Sequence, residues 1–186
     1  MPVTDAHRAY VFIDAAHLRE NLTKIGAEWR KTDLGTLGRV LMTRFNHLPK
    51  WLDVEMRLSR VFVYDAIGES GDPEVEEWLS LNDALPNVHV RRGAIAGDGR
   101  KRQKAVDVRF TVDALSWAHN GAYDVAVLVT GDGDYAPLAE ALRDRGIYVA
   151  VAAFESGISA ILRTEADIFF GLQTEPAAWA SWRFGK

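Results

Sequence analysis

Residues 123–138 read YDVAVLVTGDGDYAPL. Tyr123 to Val129 is an apolar run interrupted only by Asp124, apolar on both faces rather than alternating, as in a strand covered from both sides. A glycine turn follows, and apolar residues then recur at helical spacing from Tyr135 to Arg145, with Gly146 at the position of a helix-ending glycine. Strand, glycine turn and helix make one unit of an α/β fold.

The same alternation extends outward. YVFID (10–14), RVFVYDAI (60–67), NVHVRRG (87–93) and IYVAVAAF (147–154) are further strand candidates. Helices are expected at about Ala16–Ile25, Leu34–Phe45, Pro73–Leu85, Lys104–His119 and Gly157–Leu162, beside Tyr135–Arg145. The expected fold class is α/β, doubly wound about a mostly parallel sheet. Its 186 residues, 48% of them apolar, suit one domain with a full core, placed at 1–172. Residues 173–186 end in EPAAWASWRFGK, a tail rich in tryptophan. We expect it to dock on the domain, with a protein partner, a second copy or a base-stacking surface as the other use of its indoles.

Composition excludes several classes of function. No cysteine is present, so disulfides, thiolate metal sites and a cysteine nucleophile are ruled out. No apolar run approaches the ~20 residues of a membrane span, and the N-terminus has no apolar signal core. The expected setting is cytoplasmic, without a membrane partner. With 22 basic and 26 acidic residues the formal charge is −4, so any polyanion must be gripped locally.

In open α/β sheets the functional crevice lies beyond the carboxyl ends of the strands. Asp14 ends one strand and doubles as a candidate N-cap. Asp107 lies three residues after Lys104, about 60° around a helix, near the expected helix start where a carboxylate also suits the dipole. Asp113 points about 120° from Asp107, as a supporting or surface group. In TGDGDYA the spacing also fits a dinucleotide-binding loop, with Glu155 beyond the next strand. Two carboxylates among phosphate-cradling amides would repel a pyrophosphate, which counts against that alternative. Asp134 could cap the following helix, whereas Asp132 has no evident structural task. Asp14, Asp107, Asp132 and Asp134 converging at one edge call for a hard divalent cation, magnesium or manganese, with Asp14, Asp107 and Asp132 as its ligands. The glycines are expected to bend the strand end so that Asp132 and Asp134 face the crevice.

Between 91 and 104 stand Arg91, Arg92, Arg100, Lys101, Arg102 and Lys104 against one acid, Asp98. That stretch is either a solvated loop or a track for a polyanion leading to the acidic crevice.

VFIDAAHL (11–18), RRG (91–93), KAVDVRFTVDAL (104–115) and YDVAVLVTGDGDYAPLAEALRDRGIYV (123–149) resemble, in order and spacing, the NYN-domain family, the LabA-like branch of the PIN-like nucleases. The resemblance spans Tyr10 to Ile168. It implies a Rossmann-like three-layer α/β/α sandwich and a magnesium- or manganese-dependent ribonuclease acting on RNA, single-stranded by expectation. By motif, Asp14, Asp107, Asp132 and Asp134 match the family's catalytic acids, Asp113 a frequent acid of the same helix, and Thr130 a position more often serine. The usual DGxN reads DAAH here, so His17 stands where the family has asparagine; it could donate a hydrogen bond to Asp14 or a phosphate, or ligate the metal. A module that binds RNA without cleaving it is the alternative from a second functional class, and a dinucleotide-binding protein from a third.

Overall fold

A computed structural model describes residues 6–47, 55–66, 71–93 and 99–172, with backbone only for 99–104. Six parallel strands form one sheet: β1 (His7–Asp14), β2 (Met56–Asp65), β3 (Val88–Arg92), β4 (Val125–Val129), β5 (Tyr148–Ala153) and β6 (Ile168–Gly171). Their order is β3-β2-β1-β4-β5-β6, so the sheet winds outward in both directions from β1 and β4. Both edges are short strands, which limits edge-to-edge association.

Side chains alternate across the strands and supply two cores. Val11, Ile13, Val61, Val63, Val127 and Val129 face helices α1 (Ala15–Lys24), α2 (Leu34–Asn46) and α3 (Pro73–Asp83). Phe12, Phe62, Tyr64, Ala126, Leu128 and Val151 face α4 (Gly99–His119), α5 (Ala136–Arg143) and α6 (Ala160–Glu165). The molecule is therefore the expected three-layer α/β/α sandwich with a PIN-like sheet. Fully burying each large apolar side chain contributes roughly 1.5–3 kcal/mol, so strands apolar on both faces stabilise both layers. Asn82, fully buried, ties the first layer together. It accepts from Leu34 N at 2.8 Å and donates to the carbonyls of Trp78 and Thr32 at 3.0 and 3.3 Å.

Element boundaries differ from the sequence reading in several places. The four-residue strand β6 was not expected, because IFFG is too short to carry a period of its own. Helix α6 starts three residues late: Gly157 packs against Asn21, and Ser159 takes the N-cap position. Helix α4 begins at Gly99, not Lys104, so Asp107 sits in its third turn and the helix-dipole explanation for that acid falls away. Among the described residues no helix is long and apolar enough to cross a membrane. The tail 173–186 and Asp98 lie outside the described residues, as do the side chains of Arg100, Lys101, Arg102 and Lys104.

Candidate functional site

The winding of the sheet reverses between β1 and β4, and the crevice of an open α/β sheet opens at that point. Register pairs Ile13 with Val129, so Asp14 and Thr130 leave their strands side by side. Asp14 is the N-cap of α1, as expected: Oδ1 accepts the His17 amide at 3.0 Å, and Oδ2 accepts the Thr130 hydroxyl at 3.3 Å. Thr130 is buried, and its hydroxyl oxygen also accepts the Asp132 amide at 3.2 Å. One hydroxyl thus links Asp14 to the start of the glycine turn.

That turn is a single 3-10 helix, Gly133–Tyr135, leading into α5. Here Asp132, not Asp134, is the cap, accepting the Asp134 amide at 2.9 Å. Asp132 therefore has the structural task that the sequence reading had left to Asp134. The same bonds count against the phosphate-loop alternative, because the amides of Asp132 and Asp134 are spent within the protein rather than presented to a ligand.

The glycines serve differently from expectation. Gly131 and Gly133 are absent from the positive-φ residues, so neither bends the chain through a left-handed conformation. They allow close approach instead. A Cβ on Gly131 would lie 2.0 Å from the Gly157 carbonyl oxygen and 2.7 Å from His17 Nε2. A Cβ on Gly133 would lie 2.6 Å from Ser159 Oγ. The loop after β5 is clamped on this turn, with the Ser159 amide donating to the Gly131 carbonyl at 2.8 Å.

Asp107 comes from the opposite wall, on α4, and its Oδ1 accepts the Tyr135 hydroxyl at 3.0 Å. Burial pushes the Asp107 carboxyl above its ordinary pKa; the Tyr135 hydrogen bond opposes this, while the charges of Asp14, Asp132 and Asp134 add to it. The Asp14 carboxyl is likewise raised by burial, with the His17 and Thr130 contacts opposing and Asp132 adding. The buried Tyr135 hydroxyl is pushed far up, by burial first and then by Asp14 and Asp107. These four acids thus share one electrostatic environment, with Asp132 and Asp134 exposed at its rim.

Among the described residues no three acidic or imidazole groups close on one point as a ready cage for an ion. A hydrated magnesium ion needs only one or two carboxylates, the rest of its shell being water and substrate oxygens. An all-oxygen donor set with two carboxyls raised by burial and by neighbouring acids suits such a cation. His17 is less simply placed, because its Nε2 is buried beside Gly131 without a hydrogen-bond partner.

The remaining expected residues divide. Asp113 is not joined to the four acids: it accepts the Tyr64 hydroxyl at 3.2 Å and lies 3.7 and 3.9 Å from Arg91 and Arg109. The Arg91 guanidinium also lies over the Phe62 and Trp117 rings, 5.7 and 5.8 Å from their centroids. Arg92 pairs with Glu76 at 2.9 Å and Asp83 at 3.5 Å. Two groups at the crevice were not anticipated. Tyr135 lies inside the stretch that decided the fold, but its hydroxyl acquires a partner only when α4 folds over it. Asp65 ends β2 as Asp14 ends β1, and it is buried in an ion pair with Arg19. Its place at a strand end was the available signal.

The structure of a protein of unknown function from Vibrio parahaemolyticus superposes with a TM-score of 0.67 at 20% identity, over 94% of this chain and 98% of that one, and shares its fold. No curated protein sequence matches. The family model of the NYN domain matches residues 6–173, nearly the whole of the described chain. On that match, and with Asp14, Asp107 and the TGDGD turn at one sheet edge, the chain belongs to the NYN-domain family.

Proposed function

We propose that this protein is a metal-dependent endoribonuclease, of the LabA-like kind, that hydrolyses phosphodiester bonds of single-stranded RNA in a cytoplasmic setting. The observation that carries the reading is the arrangement about the point where the sheet reverses its winding: Thr130 links Asp14 to the turn that holds Asp132 and Asp134, and Tyr135 of that turn is bonded to Asp107. Carboxylates gathered at one sheet edge are costly to keep ionised unless a cation compensates them. Asp14, Asp107 and Asp132 would hold magnesium or manganese. When bound, the ion supplies polarisation of the phosphate and a hydroxide from water.

The chain's own groups do the positioning. The His17 amide and the Thr130 hydroxyl fix both oxygens of Asp14. Asp132 caps the turn that carries Asp134, so these two acids are set together. We assign Asp134, exposed at the rim, to accept the proton of the attacking water on its carboxylate. The basic residues Arg100, Lys101, Arg102 and Lys104 would guide the RNA backbone, whereas Arg91 and Arg92 are engaged by Asp113, Glu76 and Asp83.

Incubating the full chain with single-stranded RNA and Mn²⁺, beside Asp14→Asn and Asp132→Asn, tests the reading. Metal-dependent cleavage lost in both variants is expected; cleavage equal in all three would place the activity elsewhere. A second reading, RNA binding without cleavage, draws on one observation, the unpartnered His17 Nε2 where the family has an asparagine. RNA affinity with no cleavage under any divalent ion would favour it.

A further inference from the structure

Two tyrosines reach helix α4 from the sheet side. Tyr64, near the end of β2, donates to Asp113 at 3.2 Å, and Tyr135, in the 3-10 turn, donates to Asp107 at 3.0 Å. Between the two contacts Phe110 packs against both rings, with centroids 4.7 Å from Tyr64 and 4.4 Å from Tyr135. The helix is thus held at two points on either side of one buried aromatic.

The two carboxylates differ in what else surrounds them. Asp113 has cations for neighbours, Arg91 and Arg109, so its tyrosine adds a hydrogen bond to a pair already neutralised. Asp107, among the described residues, takes its side-chain hydrogen bond from Tyr135, at 3.0 Å. A hydrogen bond to one oxygen restricts rotation of that carboxylate. The Tyr135 ring needs no such partner for its packing, since phenylalanine would fill the same volume.

We propose that Tyr135 is a positioning residue of the site: its hydroxyl pins Oδ1 of Asp107, fixing the carboxylate's orientation and thereby setting both cation affinity and hydrolytic rate. The inference rests on the nuclease reading for the second of these effects, and on the cation site alone for the first. Loss of a hydrogen-bonded support behind a metal-binding carboxylate typically weakens metal affinity 10- to 100-fold.

Tyr135→Phe and Tyr64→Phe, made in the full chain, separate positioning from plain support of α4. Each removes one tyrosine hydroxyl bonded to one aspartate of the same helix. Thermal melting, Mn²⁺ titration followed by electron paramagnetic resonance, and kcat and KM on single-stranded RNA are measured for both and for the wild type. Both variants are expected to stay folded. Tyr135→Phe is expected to weaken Mn²⁺ binding about 10-fold or more and to lower kcat with KM little changed, while Tyr64→Phe leaves Mn²⁺ affinity at the wild-type value. Wild-type Mn²⁺ affinity in Tyr135→Phe, or an equal loss in Tyr64→Phe, overturns the proposal. A wild type that binds Mn²⁺ but cleaves no RNA sinks the nuclease reading and leaves the titration to decide the positioning role; one that binds no Mn²⁺ overturns both.

Discussion

Gly131 and Gly157 meet so closely that a Cβ on the first would stand 2.0 Å from the carbonyl oxygen of the second. The clash is with backbone, so no side-chain rotation relieves it, and the loop after β5 must lift off the carboxylate turn. Gly131→Ala is therefore expected to cost about 3 kcal/mol, the upper range for overpacking. It should also abolish metal-induced stabilisation, because Asp132 moves with the turn. Chemical denaturation with and without Mn²⁺ checks both; a variant within about 0.5 kcal/mol of wild type would show that the loop yields freely.

Asp14 illustrates a site held at the expense of stability. Burial raises its folded pKa above the unfolded value. Between those two values the folded chain binds more protons than the unfolded one, so stability falls as pH rises through that window and the penalty is fully present above it. Asn retains the N-cap without the charge. Without metal at neutral pH, Asp14→Asn is expected to gain about 1 kcal/mol, or about 2–4 °C in melting temperature for a chain of this size. The gain should vanish in acid, and Mn²⁺ should no longer raise the melting point. Differential scanning calorimetry from pH 4 to 8 reads all three effects.

The buried pair of Arg19 and Asp65 should behave in the opposite sense. Arg19 lies over the Trp29 and Trp78 rings, 5.6 and 5.8 Å from their centroids, and burial lowers its pKa. Removing one partner strands a buried charge, so Asp65→Asn is expected to cost about 3–5 kcal/mol. Replacing both residues by apolar ones of similar volume should recover most of that loss. Urea unfolding followed by tryptophan emission measures the pair directly, and a double variant no better than the single one would count against the ion-pair account.

Basic residues on β3 and at the start of α4 should separate in RNA binding. Arg91 is occupied by Asp113 and two aromatic rings. Arg91→Ala is expected to lower stability by about 1 kcal/mol with little effect on RNA affinity. Arg102→Ala should weaken RNA binding and reduce the slope of log affinity against log salt by about 0.7, the value of one single-strand phosphate contact. Fluorescence anisotropy across a salt series distinguishes them, and equal slopes in both variants would reassign the track.

Much of this protein was legible in one dimension. Runs such as VAVLV, apolar on both faces, require cover on both sides, and the acids at the ends of such runs fall at the carboxyl edge wherever the strands lie in the sheet. Asp14 and the TGDGD turn were readable for that reason. Tertiary structure decided what depends on contacts between distant segments. Sheet order put β1 beside β4 and so brought Asp14 level with Thr130. Packing of the 157–159 loop gave Gly131 and Gly133 their purpose as points of close approach, where the sequence had suggested a bend. The fold of α4 over the turn supplied Tyr135 with Asp107, and pairing across the sheet face set Arg91 against Asp113. Periodicity records which faces are buried, whereas partners of polar groups are set by neighbours that only the folded chain brings within hydrogen-bonding distance.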